Sequence, residues 1–190
     1  MNKPANPQGK GCVAVLDSLQ QAKNLLPVVA KPIQQISSEL FTSMFVLNSE
    51  IRFKPVPKQT YWLYCKNQRY QLSLIAPDQW QPAQYGRFIG ATELQSDLTW
   101  TLQLADDCAN DTVFMQSIAE QRAQLEARWQ QAEKVEDVLP VYVQSLPYYA
   151  RVMAAALAYS LNLSMHKSGI AGLNLQQAQL ALTNNIPPSN

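Results

Sequence analysis

The residues best suited to binding chemistry lie between Glu50 and Asp78. Trp62 and Tyr64 alternate along a stretch that also holds Arg52, Lys54, Lys58, Lys66 and Arg69, with no acid in between. Aromatic rings interleaved with cations can stack bases and hold phosphates, and Trp, Tyr and Arg equally anchor protein interfaces. Trp62, Tyr64, Lys66, Arg69, Gln71 and Trp80 are therefore the candidate binding residues, unless a C-terminal helix covers them. Other chemistries find less support. His166 is the single histidine, which excludes a multi-histidine metal centre within one chain, and its place at a Ser164–Gly169 helix end suits the helix dipole. Asp97, just before Thr99-Trp100, reads as a turn aspartate bonding backbone amides. Asp106, Asp107 and Asp111 lack the glycine and terminal glutamate of a calcium loop and read as helix N-terminal caps. Cys12, Cys65 and Cys108 are widely spaced, and neither a phosphate-cradling glycine loop nor a Cys-x-x-Cys, His-Glu-x-x-His or Gly-x-Ser-x-Gly motif occurs. No catalytic residue, metal ligand or cofactor is assigned. An enzyme would need Asp97, Trp80 and Tyr64 to line one pocket.

These residues must be positioned by a mixture of helices and strands. After Pro32, the apolar residues Ile33, Ile36, Leu40, Met44, Leu47 and Ile51 recur at three- and four-residue intervals, which makes one helical stripe widened by Phe41 and Phe45. Pro55 and Pro57 then stop the helix and the period changes to two. Tyr61–Cys65 and Tyr70–Ile75 flank the polar loop Lys66-Asn67-Gln68-Arg69. A four-residue loop sets Cys65 opposite Tyr70, Leu63 opposite Leu72 and Tyr61 opposite Leu74, leaving Trp62, Tyr64, Gln71 and Ser73 on the other face. Further strands are expected over Arg87–Leu94 and Thr99–Leu104, which completes an antiparallel meander.

A helix is expected from about Asp111 to Lys134, with Phe114, Ile118, Leu125 and Trp129 on one side and Arg122 spaced to pair with Glu126. Tyr148–Leu163 is apolar nearly all round, so it is expected to be buried or shared between subunits. A last helix begins near Asn174, where Gln177 completes a capping-box spacing. The fold class is thus α+β: an amphipathic helix packed on a small antiparallel β-meander, followed by a helical C-terminal region. Residues 1–11 read as a flexible leader, a short helix runs from Cys12 to about Leu26, and the units divide as 12–108 and 109–190.

The chain has 190 residues, and its hydrophobic fraction of 47% is ordinary, whereas charged residues make up only 15% against the usual ~25%. Twenty-two glutamines fill part of the gap. The net charge of +1 conceals a partition: residues 1–50 sum to +1, 51–88 to +5, 89–137 to −7 and 138–190 to +2. The basic and acidic segments are expected to neutralise each other across the fold. Near-neutrality argues against a general nucleic-acid coat, and the longest weakly charged apolar stretch is too short to span a bilayer. An odd number of scattered cysteines suits a reducing cytoplasm.

Three ordered motifs are more specific. Tyr61-Trp62-Leu63-Tyr64, then Leu72-Ser73-Leu74-Ile75-Ala76-Pro77-Asp78-Gln79-Trp80, then Leu94-Gln95-Ser96-Asp97-Leu98-Thr99-Trp100 resemble the family called domain of unknown function 2452, found in bacteria and animals. The resemblance covers about residues 5–105 and implies a helix followed by a meander, but no activity, substrate or catalytic residue. Gln81 stands where the family usually has glycine, so the turn after Trp80 is expected to differ; the tail from about residue 111 has no counterpart in the family pattern.

The leading expectation is a non-catalytic protein-interaction module that associates with itself, because the tail carries two charges in 53 residues and must hide apolar surface. The alternative is weak binding of RNA or single-stranded DNA through the basic aromatic hairpin at 52–71.

Overall fold

Pro32 fixes an extended backbone at the cap, and helix α1 follows over Ile33–Leu47. The computed structural model describes residues 26–79 and 85–183. The expected leader, the Cys12–Leu26 helix up to residue 25, and the turn at Trp80-Gln81 lie outside them. The helical stripe holds for Ile33, Ile36, Leu40 and Leu47, all buried, but the helix stops well before Pro55. Asn48 closes it with its N–H on the Met44 carbonyl, and the Ser49 hydroxyl donates to the Val46 carbonyl at 2.6 Å. Ile51 therefore belongs to the loop beyond, where Glu50 bridges to Gln71.

Strands β1 (Thr60–Lys66), β2 (Arg69–Ser73), β3 (Arg87–Leu94) and β4 (Trp100–Leu104) form one antiparallel sheet. The hairpin register is the expected one, with Cys65 facing Tyr70 and Leu63 facing Leu72. Lys66 and Arg69 also pair, so the turn shrinks to Asn67 and Gln68, whose φ angles of 51° and 62° suit a type I′ hairpin. Leu74 lies past the end of β2 and is exposed, so the expected Tyr61–Leu74 pair is not part of the ladder.

The strand order is β2-β1-β3-β4, which corrects the meander: β3 pairs with β1 rather than with β2. The free side of β2 is taken by residue 50, whose N–H donates to Tyr70 and whose carbonyl accepts from Leu72. The chain must therefore cross to the far side of β1. Between Leu63 and Tyr64 the pairing with β3 shifts by a β-bulge. Gly90 follows it because a Cβ there would stand 2.3 Å from the Gln103 carbonyl oxygen.

α1 crosses the inner sheet face. Phe45 meets Tyr70 edge-on at 5.1 Å, and Ser43 accepts the Trp100 N–H at 2.9 Å. α2 (Asp106–Ala109) is a single turn, and α3 (Thr112–Gln131) is capped by Asp111, whose carboxylate accepts the Phe114 N–H at 3.0 Å. Phe114, Ile118 and Leu125 are the half-buried side of α3, and Trp129 is its one buried residue. α4 (Tyr148–Lys167) packs on α1. α5 (Leu175–Thr183) begins with the expected capping box: Gln177 N donates to Asn174 Oδ1 at 2.9 Å, and Asn174 N donates to Gln177 Oε1 at 3.1 Å. One hydrophobic cluster runs from Ile33 to Ala178, so α1 is sandwiched between the sheet and the tail helices. Among the described residues no helix is long and apolar enough to cross a membrane.

Candidate functional site

The hairpin's outer face carries the residues singled out for binding. Trp62 pairs with Ser73 and Tyr64 with Gln71, so their side chains share that face. Tyr64 is nevertheless buried; its hydroxyl donates to the Ile75 carbonyl at 3.0 Å and its ring lies 5.5 Å from Phe88. Burial, with the Asp78 charge added, pushes its phenol up to about 12. Trp62 and Gln71 are half-buried, while Lys66 and Arg69 stand exposed at the hairpin's end. Trp80 lies outside the described residues.

Folding brings acids to the basic segment. Arg52 meets Glu50 at 2.9 Å, Lys58 meets Glu93 at 3.7 Å, and Arg87 meets Asp111 at 2.6 Å. Two of these pairs join the basic to the acidic segment, as the charge partition anticipates. Asp97 and Tyr64 do not converge: Tyr64 pairs with Phe88 near the start of β3, and Asp97 lies past its end, about 20 Å away at strand rise. Cys65 is half-buried and Cys108 buried, both as free thiols, and burial pushes both thiols up. Among the described residues no group of three His, Cys, Asp or Glu could hold a metal ion.

Asp97 does more than bond a turn. One oxygen accepts from the Thr99 N–H and hydroxyl at 3.2 and 2.7 Å, and the other meets Lys31 Nζ at 2.6 Å. Lys31, 6% exposed, also reaches Glu39 at 2.7 Å. Burial opposes the Lys31 ammonium, yet hydrogen bonds and charge from Asp97 and Glu39 outweigh it and hold its pKa above the ordinary lysine value. Burial likewise opposes the Asp97 carboxylate, and bonds from Lys31 and Thr99 hold it below its ordinary value. Around this knot, Ser160 and Ser164 of α4 and its C-cap Ser168 recur every fourth residue. Their hydroxyls donate to the carbonyls of Asp97, Val29 and Lys31 in turn. The knot fastens the tail to the core. Sequence spacing hid it because Lys31 and Asp97 are 66 residues apart; the serine repeat was its one legible sign.

One of the open features among the described residues is a seam between α1 and α3. Its first groove, about 400 Å³, is lined by Phe41 and Phe45 of α1, Leu102 and Leu104 of β4, and Met115 and Ile118 of α3. A second, about 650 Å³, continues past Met44 and Leu125 to the 138–145 loop, and shares Phe41 and Phe45 with the first. Tyr142, at its rim, is 73% exposed. Arg122 does not pair with Glu126; its guanidinium lies over the Phe41 ring at 5.1 Å.

Several of the motif residues are the fold's own supports, while Leu74 and Ile75 are exposed. Tyr61, Leu63, Leu94 and Trp100 are core, and Asp97 and Thr99 tie the β3–β4 turn. No curated protein and no solved structure matches the chain. A family model matches residues 21–121, beginning later than the motifs suggested and running into α3: the chain belongs to the family described as Protein of unknown function (DUF2452).

Proposed function

We propose that this chain is a protein-interaction module that associates with itself through the α1–α3 seam. The observation that carries the reading is the seam itself. Two adjoining surface grooves, a mostly apolar one at β4 and one of mixed polarity beyond it, separate a 20-residue helix from the helix beside it. The 138–145 loop of the tail lines the second groove, no tail residue lines the first, and α4, which packs on α1, lines neither. Free Cys65 and Cys108 fit a reducing, cytoplasmic setting.

Sedimentation velocity across a concentration series tests this. The expected result is a reversible dimer that is weakened when Ile118→Asp puts a charge in the seam. A monomer at every concentration overturns the proposal.

Lys66 and Arg69, exposed and opposite each other at the hairpin's end, keep nucleic-acid binding as a second reading. It is the weaker one, since Tyr64 is buried and three nearby cations already face acids. Binding of single-stranded RNA at low salt, lost in Lys66→Ala, supports it; no binding ends it.

A further inference from the structure

The two edges of the sheet are treated differently. β2 is closed by residue 50. β4 has no strand beyond it among the described residues, and its sequence Trp100-Thr101-Leu102-Gln103-Leu104 contains no lysine, proline or bulge of the kind that blunts an edge. The ladder fixes which groups face outward. Gln95 donates to the Thr99 carbonyl and Ala105 to the Ile89 carbonyl, so with a period of two Thr101 and Gln103 bond to β3. Trp100, Leu102 and Leu104 turn their N–H and carbonyl groups to the free side. Ser43 takes the Trp100 N–H. The Leu102 and Leu104 groups are the pair presented outward.

We infer that β4 of one copy pairs antiparallel with β4 of a second copy about a two-fold axis at Gln103. This inference rests on the self-association proposed above and names its geometry. Two outward positions spaced by two residues are self-complementary: Leu102 exchanges both bonds with Leu104 of the second copy, and Leu104 with its Leu102. A two-fold interface requires such a patch to match itself. Residues 101–105 are all uncharged, so no like charges meet at the axis. Leu102 and Leu104 line the 400 Å³ groove from above, and the second copy's leucines fall beside them, over Met115 and Ile118. Charge completes the match. Arg122 lines the same groove and makes no ion pair among the described residues, nor do the exposed Glu120 and Glu126 of α3. An antiparallel pair of α3 helices beneath the joined sheets sets Arg122 of each copy against an acid of the other.

Gln103 then faces its own copy as a non-hydrogen-bonded pair, with Cα atoms about 4.5 Å apart, within the range a disulfide can bridge. Oxidation of Gln103→Cys in the full chain should give a covalent dimer on a non-reducing gel, above the level set by the wild-type cysteines. Thr101→Cys, whose two copies stand about 13 Å apart, should not. Gln103→Lys, an exposed change, should weaken the dimer about fivefold, and mixing it with Gln103→Glu should restore association. A wild-type dimer whose Gln103→Cys form does not cross-link and whose Gln103→Lys form is unchanged overturns the β4 geometry and leaves self-association standing. A wild-type chain that stays monomeric overturns both.

Discussion

Replacing Lys31 with methionine isolates the knot that joins the tail to the core. The side chain of Lys31 is 7% exposed, and those of Asp97 and Glu39 keep 15% and 21%. Removing one partner of a buried ion pair costs about 3–5 kcal/mol, because the remaining charges lose their counter-ion but not their burial. Water still reaches both acids, so the lower end, about 3 kcal/mol, applies to Lys31→Met. For a chain of this size that is a fall in Tm of about 6–12 °C. Asp97→Asn keeps the Thr99 bonds and loses the charge, so the double variant should cost less than the two singles together, with a coupling of about 1–3 kcal/mol. Urea unfolding followed by tryptophan emission measures all three variants, with an unchanged m-value as the check that one transition is compared. The pH profile carries the same signature. The Asp97 contribution is present above the ordinary carboxylate value and is lost as pH falls through its depressed folded value; that of Lys31 is present below the ordinary lysine value and is lost as pH rises through its raised one. Stability should therefore be flat at neutral pH and fall at both extremes, and Lys31→Met should flatten both falls. A loss below about 0.5 kcal/mol, the range of ordinary surface substitutions, refutes the reasoning, and so does a strictly additive double variant.

Gly90→Ala should fail to give a cooperative unfolding transition, since its Cβ would stand 2.3 Å from the Gln103 carbonyl oxygen in a strand flanked on both sides; a folded, wild-type-like circular dichroism spectrum would contradict this. Gln68→Gly should raise stability by about 0.5–1 kcal/mol in urea, because a φ of 62° costs glutamine and not glycine. Absorbance titration should find one tyrosine, absent in Tyr64→Phe, that stays protonated to about 12. Unfolded tyrosine ionises near 10, so that residue's share of stability is lost as pH climbs between the two values.

Local periodicity was enough for the elements. Arg87–Leu94 is β3 residue for residue, and Asn174 with Gln177 marks the start of α5, because alternation and capping are written within a few residues. Strand order was not legible. It depends on residue 50 occupying the free side of β2, a contact that no pattern within β1 or β2 encodes. The end of α1 was missed for a related reason: the apolar spacing continues to Ile51, but Ser49 and Asn48 cap the helix first. Within the candidate site, alternation correctly put Trp62 and Tyr64 on one face. Exposure could not follow from it, because Tyr64 is buried by segments distant in sequence, through Phe88 and Ile75. Asp97 read as a turn residue from Thr99 alone, and its larger partner, Lys31, was beyond any local window.

The family match also divides the seam. Every residue lining the β4 end lies within 21–121 except Arg122, which follows immediately, whereas the other end takes Leu125, Arg128 and the 138–145 loop from beyond the match. Tyr61, Leu63, Leu94 and Trp100 of the motifs are spent in the core between the sheet and α1, whereas Leu74 and Ile75 stay exposed. The matched segment still offers an open strand edge and the groove beneath it. The tail packs α4 and α5 on α1 and lines one end of the seam with the 138–145 loop, leaving the β4 end without a tail residue. Had the tail evolved only to finish an incomplete core, the β4 end of the seam is where it would be expected to go, since covering the half-buried Phe41 there would add apolar burial. Leaving Phe41 and Phe45 to line an open groove while locking α4 down with three serines and a buried lysine is the arrangement expected of a surface kept free for a second protein.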